Sequence, residues 1–161
     1  MTQSLEARIA ETRRLAESGR LDEATATADD VVAQYPTESK SWALRAHLRT
    51  LAEDYAGANA DLDTASRLRP DEPYYFFRRG LNSLVIGDWH SALLDLTTGM
   101  KLRDPAYEEA FRFARAEALI ELGRKREARR DLETLPDNIR MWTSRLRTKE
   151  DLLSACQASP P

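Results

Sequence analysis

Small and apolar residues recur along this chain on a beat of about 34 residues, and polar punctuation recurs with them. Gly87-Asp88-Trp89-His90-Ser91-Ala92 is followed by Gly123-Arg124-Lys125-Arg126-Glu127-Ala128 and preceded by Gly19-Arg20-Leu21-Asp22-Glu23-Ala24. Glu53-Asp54-Tyr55-Ala56-Gly57-Ala58 keeps the register with its glycine displaced. Pro36 and Pro70 close the first two units, and Pro105 closes the third one residue late. A period in the low thirties with this punctuation predicts stacked helix pairs, because each unit has an apolar face that only a neighbour can bury. No segment shows the period-two alternation of a strand, so the pattern predicts an all-α chain.

The units run over residues 5–38, 39–72, 73–106 and 109–136, with a two-residue insertion before the last. Trp42 stands early in the first helix of the second unit, and Phe76 takes the same place in the third. Arg8 and Arg112 replace them in the outer units, as fits terminal repeats that turn one face to solvent. Ala46, Gly80 and Ala116 fill one small position; Ala24, Ala58, Ala92 and Ala128 fill its counterpart on the second helix. Small residues there let helix axes approach to about 8–10 Å, and Gly80 and Ala92 are expected to face each other. Asp71-Glu72-Pro73 and Asp88 supply the acids, proline and N-cap of helix starts.

With these features the chain resembles the tetratricopeptide repeat (TPR) family, which is a binding scaffold. The resemblance implies a helix–turn–helix solenoid of about four repeats forming one domain over residues 1–161, closed by a helical cap over 138–157. Asp137-Asn138 can start that helix, on which Ile139, Trp142 and Leu146 fall at helical spacing. A break or second cap is possible at Thr148-Lys149-Glu150-Asp151, before Leu152, Leu153 and Cys156. An amphipathic helix at this place can cap the last repeat, fold back over the groove, or dock on a partner or a second copy.

One departure from the family pattern repeats within the chain. Arg45, Arg79 and Arg115 sit where the family more often has leucine, and each is followed at one constant interval by Asp61, Asp95 or Asp131 in an Ala-x-x-Asp-Leu sequence. The first unit has Glu11 and Thr27 instead. An Arg–Asp bridge between the two helices of a unit explains the co-occurrence; an arginine ladder for an anionic ligand is the alternative.

Composition removes other classes. The 161 residues are 32% charged with a net charge of −3, so no whole-molecule field favours nucleic acid or a membrane surface. Cys156 is the single cysteine, which excludes an internal disulfide. His47 and His90 lie on different helices without metal-ligand spacing. No glycine-rich phosphate loop occurs, so no catalytic residue, metal or cofactor is expected. The basic run Arg124-Lys125-Arg126-x-x-Arg129-Arg130 lacks interleaved aromatics and is diluted by acids, which reads as a solvated helix face. Without a signal sequence or a run of roughly 20 apolar residues, a cytoplasmic protein is expected. Arginine supplies 20 of the 24 basic residues, a skew of GC-rich genomes that points to a bacterial source.

The TPR resemblance implies that the first helix of each unit lines a concave wall. On that register the candidate partner-binding residues are Arg13, His47, Tyr74, Phe77, Arg78, Leu81, Phe113 and Glu117. Tyr74-Tyr75-Phe76-Phe77 is more aromatic than one buried face uses, leaving Tyr74 and Phe77 for the groove, with Phe113 one unit on. The family's carboxylate clamp would need its basic and amide residues at Ile9, Arg13, Leu44, Tyr74 and Arg78, and only Arg78 matches. The expected function is a noncatalytic protein–protein interaction module that holds a peptide or helix of another protein, as in a bacterial immunity or antidote protein. A chaperone similar to those of type III secretion, or a scaffold self-associating through its C-terminal helix, is the alternative.

Overall fold

The protein is described by a computed structural model over residues 4–157. Its helices are α1 (Leu5–Glu17), α2 (Leu21–Gln34), α3 (Ser39–Leu51), α4 (Tyr55–Leu68), α5 (Pro73–Val85), α6 (Trp89–Met100), α7 (Glu108–Glu121), α8 (Lys125–Glu133) and α9 (Lys149–Gln157). A hairpin of β1 (Arg140–Trp142) and β2 (Leu146–Thr148) precedes α9. The chain divides into two compact units, Met1–Asp71 and Glu72–Pro161.

The punctuation in the sequence is backbone geometry. Gly19, Gly87 and Gly123 adopt left-handed conformations, with φ of +79°, +77° and +73°. Each ends the first helix of a pair in the same way. The following N–H (Arg20, Asp88 or Arg124) donates five residues back to the carbonyl of Leu15, Ser83 or Leu119, at 3.0, 2.9 and 2.8 Å. Glu53 takes the same role without being glycine, at φ +60°, while Asp54 donates to the Arg49 carbonyl at 2.8 Å. A side chain in that region costs about 1–2 kcal/mol. Asp54 and Asp88 then cap α4 and α6 by accepting the N–H of Gly57 and Ser91 at 2.9 and 3.1 Å. Hydrogen bonds from Ser91 hold the Asp88 carboxyl below the usual carboxylate range.

In the first unit, Leu5 and Ile9 of α1, Ala24, Ala28 and Val31 of α2, and Leu44 and Leu48 of α3 form one apolar core. In the second unit, Leu84, Ala92, Leu96, Phe111, Ala114 and Ala118 form a core between α5, α6 and α7. Gly80 serves that core, although its neighbour differs from the one expected. A Cβ on Gly80 would lie 2.8 Å from Cγ and Cδ2 of Leu96, so Leu96 presses on it, one turn beyond Ala92.

The Arg–Asp bridges are present in all three repeats that carry both partners. Nε and Nη2 of each arginine donate to the two oxygens of its aspartate: Arg45 to Asp61 at 2.9 and 2.7 Å, Arg79 to Asp95 at 2.8 and 2.6 Å, Arg115 to Asp131 at 2.8 and 2.6 Å. Asp61, Asp95 and Asp131 are buried. Trp42 and Phe76 lie under the first two guanidinium groups, at 5.1 and 5.9 Å. Forked, charge-assisted pairs of this kind lock two helices in register. They also leave these arginines engaged, which removes the reading as a ladder for an anionic ligand.

The segment 138–157 corrects the sequence expectation. It is not one helix: β1 and β2 pair antiparallel with Arg140 opposite Thr148, Met141 opposite Arg147, and Trp142 opposite Leu146. Ile139 and Met141 point into the core, whereas Arg140 and Trp142 face solvent. The helical spacing of Ile139, Trp142 and Leu146 is therefore coincidental. Only α9 is helical, and it starts at the anticipated second cap. Thr148 N–H donates to Asp151 at 2.8 Å, and Asp151 N–H donates back to the Thr148 hydroxyl at 3.1 Å. Leu152 of α9 joins Phe113, Ala116 and Leu119 of α7 and Ala128 and Leu132 of α8 in a third core.

Candidate functional site

Of the residues that the repeat register assigned to the groove, α5 carries Tyr74, Phe77, Arg78 and Leu81, all half-buried. Phe77 meets the rings of Tyr107 and Phe111 edge-on, at 5.9 and 5.4 Å, and with Leu81 it packs on the α5–α6–α7 core. Its ring is thus part of the seam between two repeats, which corrects the expectation that it stands clear of the core. Arg78 has no hydrogen-bond or ion-pair partner among the described residues.

Sequence reasoning missed Tyr107, which lies in the two-residue insertion before α7. It is half-buried, and burial raises its phenol above the ordinary value, with Glu72, Tyr74 and Asp104 adding to the effect. Its place outside the repeat register hid it.

The matching positions on α7 are covered, which corrects two predicted site residues. Phe113 is fully buried in the core that includes Leu152 of α9. Glu117 is 1% exposed and lies under the hairpin tip. The hydroxyls of Thr143 and Ser144 donate to its two carboxylate oxygens, and the Arg147 guanidinium approaches to 3.8 Å. Buried carboxylates require such partners, so Glu117 is the hook that holds the hairpin down. Lys149 fixes the other end, donating to the Leu135 carbonyl at 2.6 Å and to Asp137 at 2.8 Å. That bond holds the Asp137 carboxyl below the usual range. Cys156, on α9, has its thiol pushed up by burial.

Arg13 and His47 belong to the first unit. Arg13 is exposed on α1 and borders a shallow depression of about 230 Å³ with Glu6, Ile9, Ala10 and Lys40. His47 is half-buried on α3. Among the described residues no cluster of His, Cys, Asp or Glu is placed to hold a metal ion. No described helix is long and apolar enough to cross a membrane.

Consecutive helix pairs, small residues at the crossings and left-handed turns define a TPR-type helical solenoid. Solved structures agree on the fold. MamA, in a structure designated AMB-1, matches with a TM-score of 0.72 at 18% identity, over 81% of this chain and 76% of that one. YrrB, described as a TPR protein with an unusual peptide-binding site, matches with a TM-score of 0.68 at 18% identity, over 78% and 64%. The Yersinia enterocolitica type III secretion chaperone SycD, solved with a peptide of the translocator YopD, matches with a TM-score of 0.68 at 16% identity, over 78% and 97%. No model of a known protein family matches the sequence, and no curated protein matches it. At these identities the likeness is one of fold.

Proposed function

We propose that this protein is a noncatalytic interaction module that holds a peptide or helix of a partner protein against the inward face of α5. The carrying observation is the contrast along that wall: Tyr74, Arg78 and Leu81 remain accessible on α5, whereas α9 and the hairpin cover the matching face of α7. Tyr74 and Leu81 offer apolar contact, and the unpaired Arg78 guanidinium supplies a site for an acidic group on the partner. Peptide complexes of fold neighbours such as SycD support the reading. Arg13 and His47 are secondary candidates on the first unit.

A cytoplasmic bacterial antidote to a toxin fits this role. The likeness to SycD, which spans 97% of that chain, favours a secretion-type chaperone as the second reading. Self-association through the C-terminal helix has less support, because Leu152 seats α9 in its own core.

The test is capture of partners from the source cells on immobilised protein, with mass spectrometry, followed by calorimetry of the captured protein. Arg78→Glu and Tyr74→Ala should each weaken binding by about 2 kcal/mol. Unchanged affinity in both variants sinks the α5 site. Co-expression separates the two roles: an antidote silences the toxicity of its partner, whereas a chaperone keeps its partner soluble.

A further inference from the structure

We propose that the outer edge of β1 is a second interaction surface, one that adds an extended acidic segment of a partner protein as a third strand. Strand register decides which backbone groups face outward. Lys149 N–H donates to the Ile139 carbonyl at 3.2 Å, and Thr143 N–H donates to the Arg145 carbonyl at 3.1 Å. These bonds bracket the ladder in which Met141 faces Arg147. Antiparallel pairs alternate between hydrogen-bonded and non-hydrogen-bonded, so Met141–Arg147 is a bonded pair. Arg140–Thr148 and Trp142–Leu146 are then non-bonded, and the N–H and C=O groups of Arg140 and Trp142 point away from β2.

The two edges of the hairpin differ. On β2 the outward N–H of Thr148 is taken by Asp151 at the start of α9. On β1 the outward groups of Arg140 and Trp142 have no partner among the described residues. A sheet edge of this kind pairs with an extended chain.

The side chains define what that chain must carry. Residues opposite each other share a face, so Trp142 and Leu146 stand together, 72% and 54% exposed. Non-bonded pairs bring side chains closest, which makes one apolar patch. Arg140, two residues from Trp142, shares this face and is exposed and without an ion pair among the described residues. An unpaired cation beside an apolar patch complements an acidic strand with an apolar side chain on the facing side.

The opposite face explains why the surface is ready. Ile139 and Met141 are packed in the core, and Glu117 grips the hairpin tip. The edge is held in strand geometry before any partner arrives, which lowers the ordering cost of binding. Trp142 has no packing role that accounts for so exposed a ring.

The experiment uses the full chain and a synthetic peptide of alternating glutamate and valine, with its lysine–valine counterpart and anionic phospholipid vesicles as competitors. Amide exchange by NMR is read at Arg140 and Trp142. The Glu–Val peptide should slow exchange at both amides by about tenfold or more and bind saturably. Trp142→Ala and Arg140→Glu should each weaken its Kd by about tenfold or more. Exchange at Leu152 should stay unchanged in these variants, showing an intact cap. The proposal is overturned if those amides gain no protection, if the variants bind the peptide as well as the parent does, or if the Lys–Val peptide binds better. It is equally overturned if vesicles bind in place of the peptide, or if sedimentation shows the edge already paired with a second copy.

Discussion

The repeat register gives α5 and α7 matching positions, and the two helices end in opposite circumstances. Tyr74, Phe77 and Leu81 of α5 correspond to Ala110, Phe113 and Glu117 of α7, yet later chain buries Phe113 and Glu117 and leaves Phe77 and Leu81 half-buried. In both helices the phenylalanine meets the next helix but one: Phe77 touches Phe111 of α7, and Phe113 shares a core with Leu152 of α9. The position is a seam between repeats first and a groove residue second. What separates the two walls is the next inward position. Leucine there leaves an apolar surface, whereas glutamate captures the two hydroxyls of the hairpin tip.

The strongest way to break this comparison is to remove both rings. Phe113 is fully buried, so Phe113→Ala should cost about 3–5 kcal/mol in chemical denaturation. Phe77 is only half-buried, and Phe77→Ala should cost about 2 kcal/mol, more than a free groove residue would. Equal losses would mean that the two positions are equally covered.

Glu117→Gln tests the hook itself. The amide keeps the shape but loses the charge that faces Arg147 and one of the two acceptors used by Thr143 and Ser144. A loss of about 1–3 kcal/mol is expected. It should appear in amide exchange as faster opening of 140–148, with α5 and α6 unaffected. Uniform loss of protection across the second unit would refute a local role.

Acid sharpens the comparison without mutation. The Lys149 bond lowers the carboxyl of Asp137, and hydrogen bonds from Thr148 lower that of Asp151. Groups depressed in the folded state stabilise it fully above their unfolded value of about 3.9, and the contribution is lost as pH falls through the lower folded value. Amide exchange, corrected for its intrinsic pH dependence, should therefore show the hairpin and α9 loosening below about pH 4, before α5. Simultaneous loosening would separate these carboxylates from the cap.

The smallest expected effect lies in the first unit. Glu53→Gly relieves a left-handed inter-helix turn that lacks glycine and should raise stability by about 0.5–1 kcal/mol. A lower melting temperature would show that the Glu53 side chain has a contact worth more than its strain.

The Arg–Asp forks were legible in the sequence because one interval between the same two residue types recurs in three repeats, as contact between them requires. The second cap at Thr148 was legible for a similar reason, since its chemistry is local. The hairpin was not. Strands of three residues are too short to display alternation, and Ile139, Trp142 and Leu146 satisfy a helical spacing equally well. Register alone also could not tell an inward position from a covered one. Phe113 and Glu117 needed the path of residues 139–157, which no repeat predicts. Tyr107 escaped because insertions carry no register.

The forked bridges also bear on how a chain of this kind changes length. Arg79 and Arg115 are each neutralised within the helix pair that carries them. A duplication that copies such a pair copies both halves of the fork together, and a deletion removes both. Neither event strands a buried charge, a defect worth roughly 3–5 kcal/mol. Growth or shrinkage by whole pairs is therefore electrically silent, whereas a break inside a pair is punished at once.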